Sequence, residues 1–102
     1  MNNFVYLDVE LKLQEETSAV LTSAYFQGSI ESSLCEFFGE IGGQTELELV
    51  NFNTTLKRGI FKVPKEFCAK TRAAITLIGR YQDIPCHFAV LKVSDKPVSL
   101  LL

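Results

Sequence analysis

The sequence of 102 residues is poor in the residues from which metal centres and nucleophilic active sites are built. It has no tryptophan, one histidine (His87) and three cysteines. Cys35, Cys68 and Cys86 show no C-x-x-C spacing, so the sequence does not indicate a zinc site. An odd number of widely spaced cysteines is typical of reduced thiols inside the cell and not of a disulfide framework.

Loops for phosphate-bearing cofactors and long apolar runs are also missing. Neither a P-loop nor a G-x-G-x-x-G pattern occurs. No apolar run approaches the roughly 20 residues that a membrane helix needs, and "MNNFVYLDVE" at the N-terminus lacks the basic and apolar regions of a signal peptide. His87 lies in an apolar strand, which favours a structural role over that of a base, and no serine or cysteine nucleophile has a second histidine to pair with. We therefore expect no cofactor, no metal, no membrane partner and no enzyme activity of the chain alone.

Bases are scarce in the first part of the chain and acids are scarce in the part that follows, although the net charge of −2 is small. Residues 1–56 hold nine acids against one base, whereas residues 57–80 hold seven bases against one acid. This segregation predicts a basic partner surface and an acidic one on the same small body. The alternative is that charges clustered in sequence mix in space.

The length of 102 residues predicts a single domain, 1–102, and hydrophobic periodicity predicts the α+β class. The stretch "FVYLDVELKL" alternates strictly, which is typical of a half-buried strand. The order strand, helix, strand, strand, helix, strand predicts a ferredoxin-like split β-α-β fold (βαββαβ), with a four-stranded antiparallel sheet and both helices on one face. The predicted elements are strands over 4–13, 46–52, 58–63 and 86–94, and helices over 23–40 and 65–78. A turn at "YQDIP" (residues 81–85) should precede the last strand.

The first helix has start and stop signals. Thr22 is a plausible N-cap, and Leu21 and Phe26 are spaced for a hydrophobic staple. Gly39 and the Gly42-Gly43 pair are natural stop residues. Apolar residues at spacings of three or four predict one buried stripe: Phe26, Ile30, Leu34, Phe37 and Ile41.

The second helix has an unusual predicted solvent side. Gly79 should cap this helix. At about 100° per residue, six residues should fall on its core side: Phe67, Cys68, Thr71, Ala74, Ile75 and Ile78. The opposite side carries Ala69, Ala73 and Leu77, edged by bases, which predicts a surface that a partner backbone can approach closely. The alternative is that alanine is present only as a good helix former.

The stretch "LKRGIFKVP" (residues 56–64) is similar to the RNA-reading strand of an RNA-recognition domain. Alternation places Phe61 and Val63 on the core side with Gly59. On the open face this strand then carries Arg58, Ile60 and Lys62, and no ring to stack a base. The neighbouring first strand offers Tyr6 on that face, but also the carboxylates Asp8 and Glu10, which repel a phosphate backbone. We therefore do not expect base stacking on the open face of this sheet.

Three blocks in order resemble the small protein subunits of archaeal and eukaryotic ribonuclease P: "CEFFGEIGG", "LKRGIFKVPKEFCAKTRAAITLIGRY" and "IPCHFAVLKVS". They cover roughly residues 20–94, and the family comprises the fourteen-kilodalton subunit and the processing-of-precursor subunit. The processing-of-precursor branch typically continues into a further helix after the last strand. This chain ends in "VSDKPVSLLL", which favours the fourteen-kilodalton branch.

The resemblance implies a non-catalytic subunit of the ribonucleoprotein that removes the 5′ leader of precursor tRNA. In this particle the RNA is expected to carry the catalysis. We expect the particle in the nucleus, and within it in the nucleolus. The resemblance also implies other ribonuclease P proteins as partners, above all the thirty-kilodalton TIM-barrel-like subunit, and a share in ribonuclease MRP. For phosphate contacts of the RNA the candidates are Arg58, Lys62, Lys65, Arg72 and Arg80. Lys65 and Arg72 are seven residues apart and should share a helix face. For protein docking they are Ala69, Ala73, Leu77, Leu100, Leu101 and Leu102. The alternative from another class is a ferredoxin-like domain that senses a small molecule.

Overall fold

Two helices pack on one face of a five-stranded antiparallel sheet. The structure, a computed structural model, describes residues 3–14, 21–43 and 47–96, except for the side chains of residues 40–43. The strand order is β2-β3-β1-β5-β4. The elements are β1 (Phe4–Leu13), α1 (Ser23–Gly43), β2 (Glu48–Asn53), β3 (Arg58–Pro64), a 3₁₀ turn (Lys65–Phe67), α2 (Cys68–Thr76), β4 (Arg80–Tyr81) and β5 (Ile84–Ser94).

The α+β class and the order of the long strands agree with the sequence prediction, but the sheet has a fifth strand. The segment predicted as a turn before the last strand is itself a hairpin, in which Arg80 pairs with Pro85 and Tyr81 with Ile84. Its two turn residues, Gln82 and Asp83, adopt positive φ values of 52° and 67°. Such angles at both central positions match the twist of a two-residue hairpin, so β4 forms where a plain turn was expected.

The core lies between the sheet and the helices, as the alternation of β1 predicts. Val5, Leu7, Val9 and Leu11 are all buried. Phe26 of α1 is at the centre of an aromatic cluster, with ring centroids 5.7 Å from Phe61, 5.6 Å from Phe88 and 5.1 Å from Phe52. Aromatic pairs at these separations add to the free energy gained from burial, so Phe26 joins α1 to both halves of the sheet.

The start of α1 is as predicted, but its last turns differ. The Oγ1 atom of Thr22 accepts a hydrogen bond of 3.2 Å from the backbone N–H of Tyr25, which is N-cap geometry. Phe26, Ile30 and Leu34 are buried, whereas Phe37, predicted to be buried, is 47% exposed. Gly39 leaves helical geometry with φ 67°, as a stop residue would, and the side chain of Ile41 lies outside the described residues.

The second helix is shorter than predicted. The segment after Pro64 begins as a 3₁₀ turn and becomes α-helical only at Cys68. Thr71, Ala74 and Ile75 are buried as expected, while Phe67, Cys68 and Ile78 are half-buried. Leu77 is the C-cap residue, and Gly79 does not take the left-handed conformation of a glycine cap. The prediction that Gly79 caps the helix is therefore wrong.

Within the described part of the chain, neither helix is long and apolar enough to cross a membrane. The same residues contain no group of three or more histidine, cysteine, aspartate or glutamate side chains arranged to hold a metal ion.

Candidate docking and phosphate-binding surfaces

The open face of the sheet is held together by an ion pair between β1 and β3. Arg58 donates from Nε to Oδ1 of Asp8 at 3.2 Å, and its Nη2 contacts Oδ2 of the same carboxylate. The Asp8 side chain is only 9% exposed and that of Arg58 30%. The hydrogen bond to Asp8 raises the pKa of Arg58 further above its ordinary value. Arg58, a candidate for phosphate contact, is therefore engaged within the fold.

Ile60 lies on the open face, as predicted, yet it is fully buried. It is paired with Asp8 on one side and with Asn51 on the other, and it is not part of the helix-side core. The middle of this face is therefore largely inaccessible to solvent at Ile60 and Asp8. At this position on β3 the open face carries an aliphatic side chain and no ring for a base to stack on.

Lys62, the next base on β3, lies over an aromatic ring that sequence reasoning had not singled out. Its Nζ is 4.4 Å from the ring centroid of Phe4, a cation–π distance. In the strand register it also stands opposite Tyr6 and Glu48. Lys62 therefore has the ring of Phe4 and the acidic residue Glu48 as neighbours, and it is half-buried.

The three remaining phosphate candidates are exposed. Lys65 lies in the 3₁₀ turn, Arg72 on α2 and Arg80 on β4. Lys65 was predicted to share a helix face with Arg72, but it lies outside the α-helix, so that prediction is wrong. Arg80 donates to the carbonyl oxygen of Asp83 at 2.9 Å, which leaves its charge uncompensated. In the described part of the chain, none of the three side chains forms an ion pair.

The predicted docking residues of α2 are all on the surface. Ala69 and Ala73 are exposed, and Leu77 is 54% exposed. Phe37 of α1 and Leu77 line the same groove of about 490 Å³ between the middle of α1 and the end of α2, with Glu36 of α1 on its lining. We call Ala69, Ala73, Leu77 and Phe37 the helix-layer patch. The other three predicted docking residues, Leu100, Leu101 and Leu102, lie outside the described residues.

Ser33 fixes the two helices that carry this patch. It is 5% exposed, and its Oγ donates a hydrogen bond of 2.7 Å to the backbone oxygen of Ala74. A buried hydrogen bond between neighbouring helices restricts their sliding. Sequence reasoning missed both Ser33 and the exposure of Phe37, because the helical period gives a residue's direction but not where the neighbouring helix ends.

His87 and the three cysteines differ in exposure. His87 is exposed on the open face, opposite Lys12 in the register. Cys86 is half-buried, and burial raises the pKa of its thiol, which opposes formation of the nucleophilic thiolate. Cys35 is exposed and Cys68 half-buried. All three thiols are free.

Comparison with known proteins points to one family. The model of the Rpp14/Pop5 family matches residues 5–95. The chain is 27% identical to ribonuclease P protein subunit p14 of Mus musculus over 93 residues, which cover 91% of this chain and 75% of that protein. It is 25% identical to the subunit of the same name from Homo sapiens, with 91% and 74% covered. A chain in the cryo-EM structure of yeast ribonuclease MRP superimposes with a TM-score of 0.81 at 12% identity, covering all of this chain and 81% of that one.

Proposed function

Because the chain belongs to the Rpp14/Pop5 family of ribonuclease P/MRP protein subunits, we propose that it scaffolds the ribonucleoprotein that removes the 5′ leader of precursor tRNA. In this role the protein is an accessory subunit and the RNA carries the catalysis. We place it in the nucleus, and within it the nucleolus. The observation that supports the proposal best is the family match over residues 5–95, nearly the whole chain.

Protein docking is assigned to the helix-layer patch, and the thirty-kilodalton subunit is its proposed partner. The patch combines small residues, which let another backbone approach, with two apolar side chains, Phe37 and Leu77, that are about half exposed. Apolar side chains that line one groove favour a protein contact over solvent. The patch also lies on the opposite side of the sheet from the ion pair of Asp8 and Arg58, so docking leaves the open face unchanged.

RNA contact is assigned to phosphates and not to bases. Of the five candidate bases, Lys65, Arg72 and Arg80 fit best, because they are exposed and form no ion pair among the described residues. Arg58 and Lys62 contribute less, since their charges are engaged by Asp8 and by the ring of Phe4. Phosphate contacts position a protein on RNA without reading its sequence.

Copurification tests the function as a whole. The tagged chain is isolated from a nuclear extract of its source, the bound RNA is probed for ribonuclease P and MRP RNA, and the bound proteins are identified. We expect both an RNA of this class and the thirty-kilodalton subunit. Recovery of the chain without either RNA would overturn the proposal.

Substitution on α2 tests the docking surface. Leu77→Asp should reduce recovery of the thirty-kilodalton subunit, because it places a charge in an apolar contact that excludes water. Val50→Asp is the matched control, since Val50 is an exposed apolar residue of β2, 41% exposed and outside the patch. Equal recovery with both variants would rule out docking at Leu77.

Charge reversal tests the phosphate contacts. Arg72→Glu should weaken binding of the RNA, and the loss should grow when Lys65→Glu and Arg80→Glu are added. The slope of log affinity against log salt should fall by roughly 0.7–0.9 for each lost phosphate contact. Lys12→Glu, which reverses an exposed base on the open face, is the control. An unchanged slope in the triple variant would show that these bases face solvent and do not contact phosphates.

A further inference from the structure

Most of the outer edge of β5 has no neighbouring strand in the described part of the chain. β4, the strand beyond it, has two residues and pairs only with Ile84 and Pro85. The remaining nine residues, 86–94, extend roughly 30 Å at about 3.3 Å per residue, and Cys86 donates to the backbone oxygen of Gly79. An edge strand presents a row of backbone donors and acceptors that a further strand can pair with.

The side chains along this edge are apolar and exposed. Leu91 is 48% exposed and Val93 39%, although Val93 is paired with the buried Leu7 of β1. The register between β1 and β5 shifts next to Val9, which leaves Leu91 without a partner on β1. Exposed apolar side chains at an unpaired strand edge favour a protein contact.

The charge beside this edge is basic. Lys92 of β5 is exposed. On α2, Lys70 lies over the ring of Phe38 of α1, so the side of α2 that carries Lys70 faces α1. Arg72 is two residues further along, a rotation of about 200°, so it lies on the side of α2 that faces away from α1. Because α2 packs against β5, this side is the one nearest the open edge.

These charges discriminate between two kinds of strand. In an antiparallel pair of two β5 strands about a two-fold axis near Leu91–Val93, Lys92 of one copy lies beside Lys92 of the other, and like charges directly opposite each other are destabilising. A strand that carries carboxylates has the reverse effect. RNA supplies negative charge but no strand backbone to pair with this edge and no apolar side chains for Leu91 and Val93.

We propose that the edge of β5 over residues 87–94, beyond the hydrogen bond of Cys86, binds an extended, acidic segment of a protein partner by strand addition. The partner's backbone pairs with the open edge, its apolar side chains cover Leu91 and Val93, and its carboxylates pair with Lys92. Strand addition of this kind takes affinity from the backbone and specificity from alternate side chains. The surface is separate from the helix-layer patch and goes beyond the docking function proposed above.

The test uses the full chain and two synthetic nine-residue peptides with blocked ends, one alternating valine with glutamate and the other valine with lysine. Amide hydrogen exchange of the chain is measured with each peptide. We expect the glutamate peptide to slow exchange over residues 87–94, with no effect on the 54–57 turn, and the lysine peptide to have no effect. Lys92→Glu should weaken binding of the glutamate peptide by about fivefold, given the usual size of cross-strand charge effects. Lys12→Glu, a reversal on the same sheet away from the edge, should not.

Three results would overturn the proposal. The first is exchange that is unchanged, or slowed equally by both peptides. The second is protection of residues 87–94 that rises with the concentration of the chain alone, which indicates a second copy. The third is protection by single-stranded RNA without any peptide. Each can occur while the chain still copurifies with ribonuclease P RNA, so failure here is distinct from failure of the proposed function.

Discussion

Asp8 illustrates how one side chain changes the chemistry of a surface. In the sequence it is one of nine acids in residues 1–56 and argues against RNA on its strand. In the structure it binds Arg58, 50 positions away, and is itself buried. The pair removes a negative charge and a positive charge from the open face at once. Arg58 is therefore better explained by stability than by phosphate binding.

Asp8→Asn tests this explanation. The substitution leaves the partly buried guanidinium of Arg58 without its carboxylate, so we expect the free energy of unfolding to fall by about 1.5–3 kcal/mol, the usual range for a hydrogen bond to a charged group. Urea denaturation measures it. Glu66→Gln is the control, because Glu66 is an exposed carboxylate of the 3₁₀ turn that forms no ion pair among the described residues; an equal loss in both would contradict the assignment.

The cysteines should differ in reactivity. Cys35 is exposed, whereas Cys86 is half-buried and burial raises the pKa of its thiol. Because the thiolate is the reactive form, iodoacetamide at neutral pH should modify Cys35 first, and modification of Cys86 should need a higher pH. Mass spectrometry of the two peptides over a pH series measures the order. Faster labelling of Cys86 at neutral pH would contradict it.

At the scale of elements, β3 depends on a glycine where it crosses α1. A Cβ atom added to Gly59 would lie 2.8 Å from Leu49 Cδ1 and 2.8 Å from Phe26 Cε1, closer than side chains approach one another. Phe26 is the centre of the aromatic cluster, so it cannot move without disturbing three other rings. The glycine thus sets the distance between the first helix and the sheet.

Gly59→Ala should lower the free energy of unfolding by about 1–3 kcal/mol through overpacking. Gly28→Ala is the matched control in α1, since nothing lies within 4 Å of the added methyl group. It should raise stability by roughly 0.5–1 kcal/mol because alanine is the better helix former. Chemical denaturation measures the free energy of unfolding of both variants. The two substitutions must change it in opposite directions.

At the scale of the whole molecule, folding divides the basic segment in two. β3 lies between β1 and β2, so Arg58 and Lys62 are placed among acids and rings. The bases that follow β3 remain exposed around the second helix; they are Lys65, Lys70, Arg72 and Arg80. The alternative, that charges segregated in sequence mix in space, is therefore correct for β3. The exposed bases that follow β3 still form a basic surface.

The stability of the molecule should fall in alkaline solution. Burial raises the pKa of Tyr81 above 10.0 and that of Cys86 above 9.0. A group whose pKa is raised by folding stabilises the native state below its unfolded pKa, and this contribution is lost as the pH rises through the folded value. We therefore expect the urea midpoint to decline above pH 9, and to decline less in Tyr81→Phe above pH 10. An identical decline in that variant would exclude Tyr81 as a cause.

The sequence by itself determined the order of the long elements, the inward face of β1, the N-cap at Thr22 and the inward direction of Phe61 and Val63. These follow from local periodicity and backbone preference, which act over a few residues. Only the tertiary structure decided that Phe37 is exposed, that Ile60 is buried on the open face and that Arg58 binds Asp8. Each of these depends on which segments, distant in sequence, lie side by side. Local periodicity contains no information about strand register or about where a neighbouring helix ends.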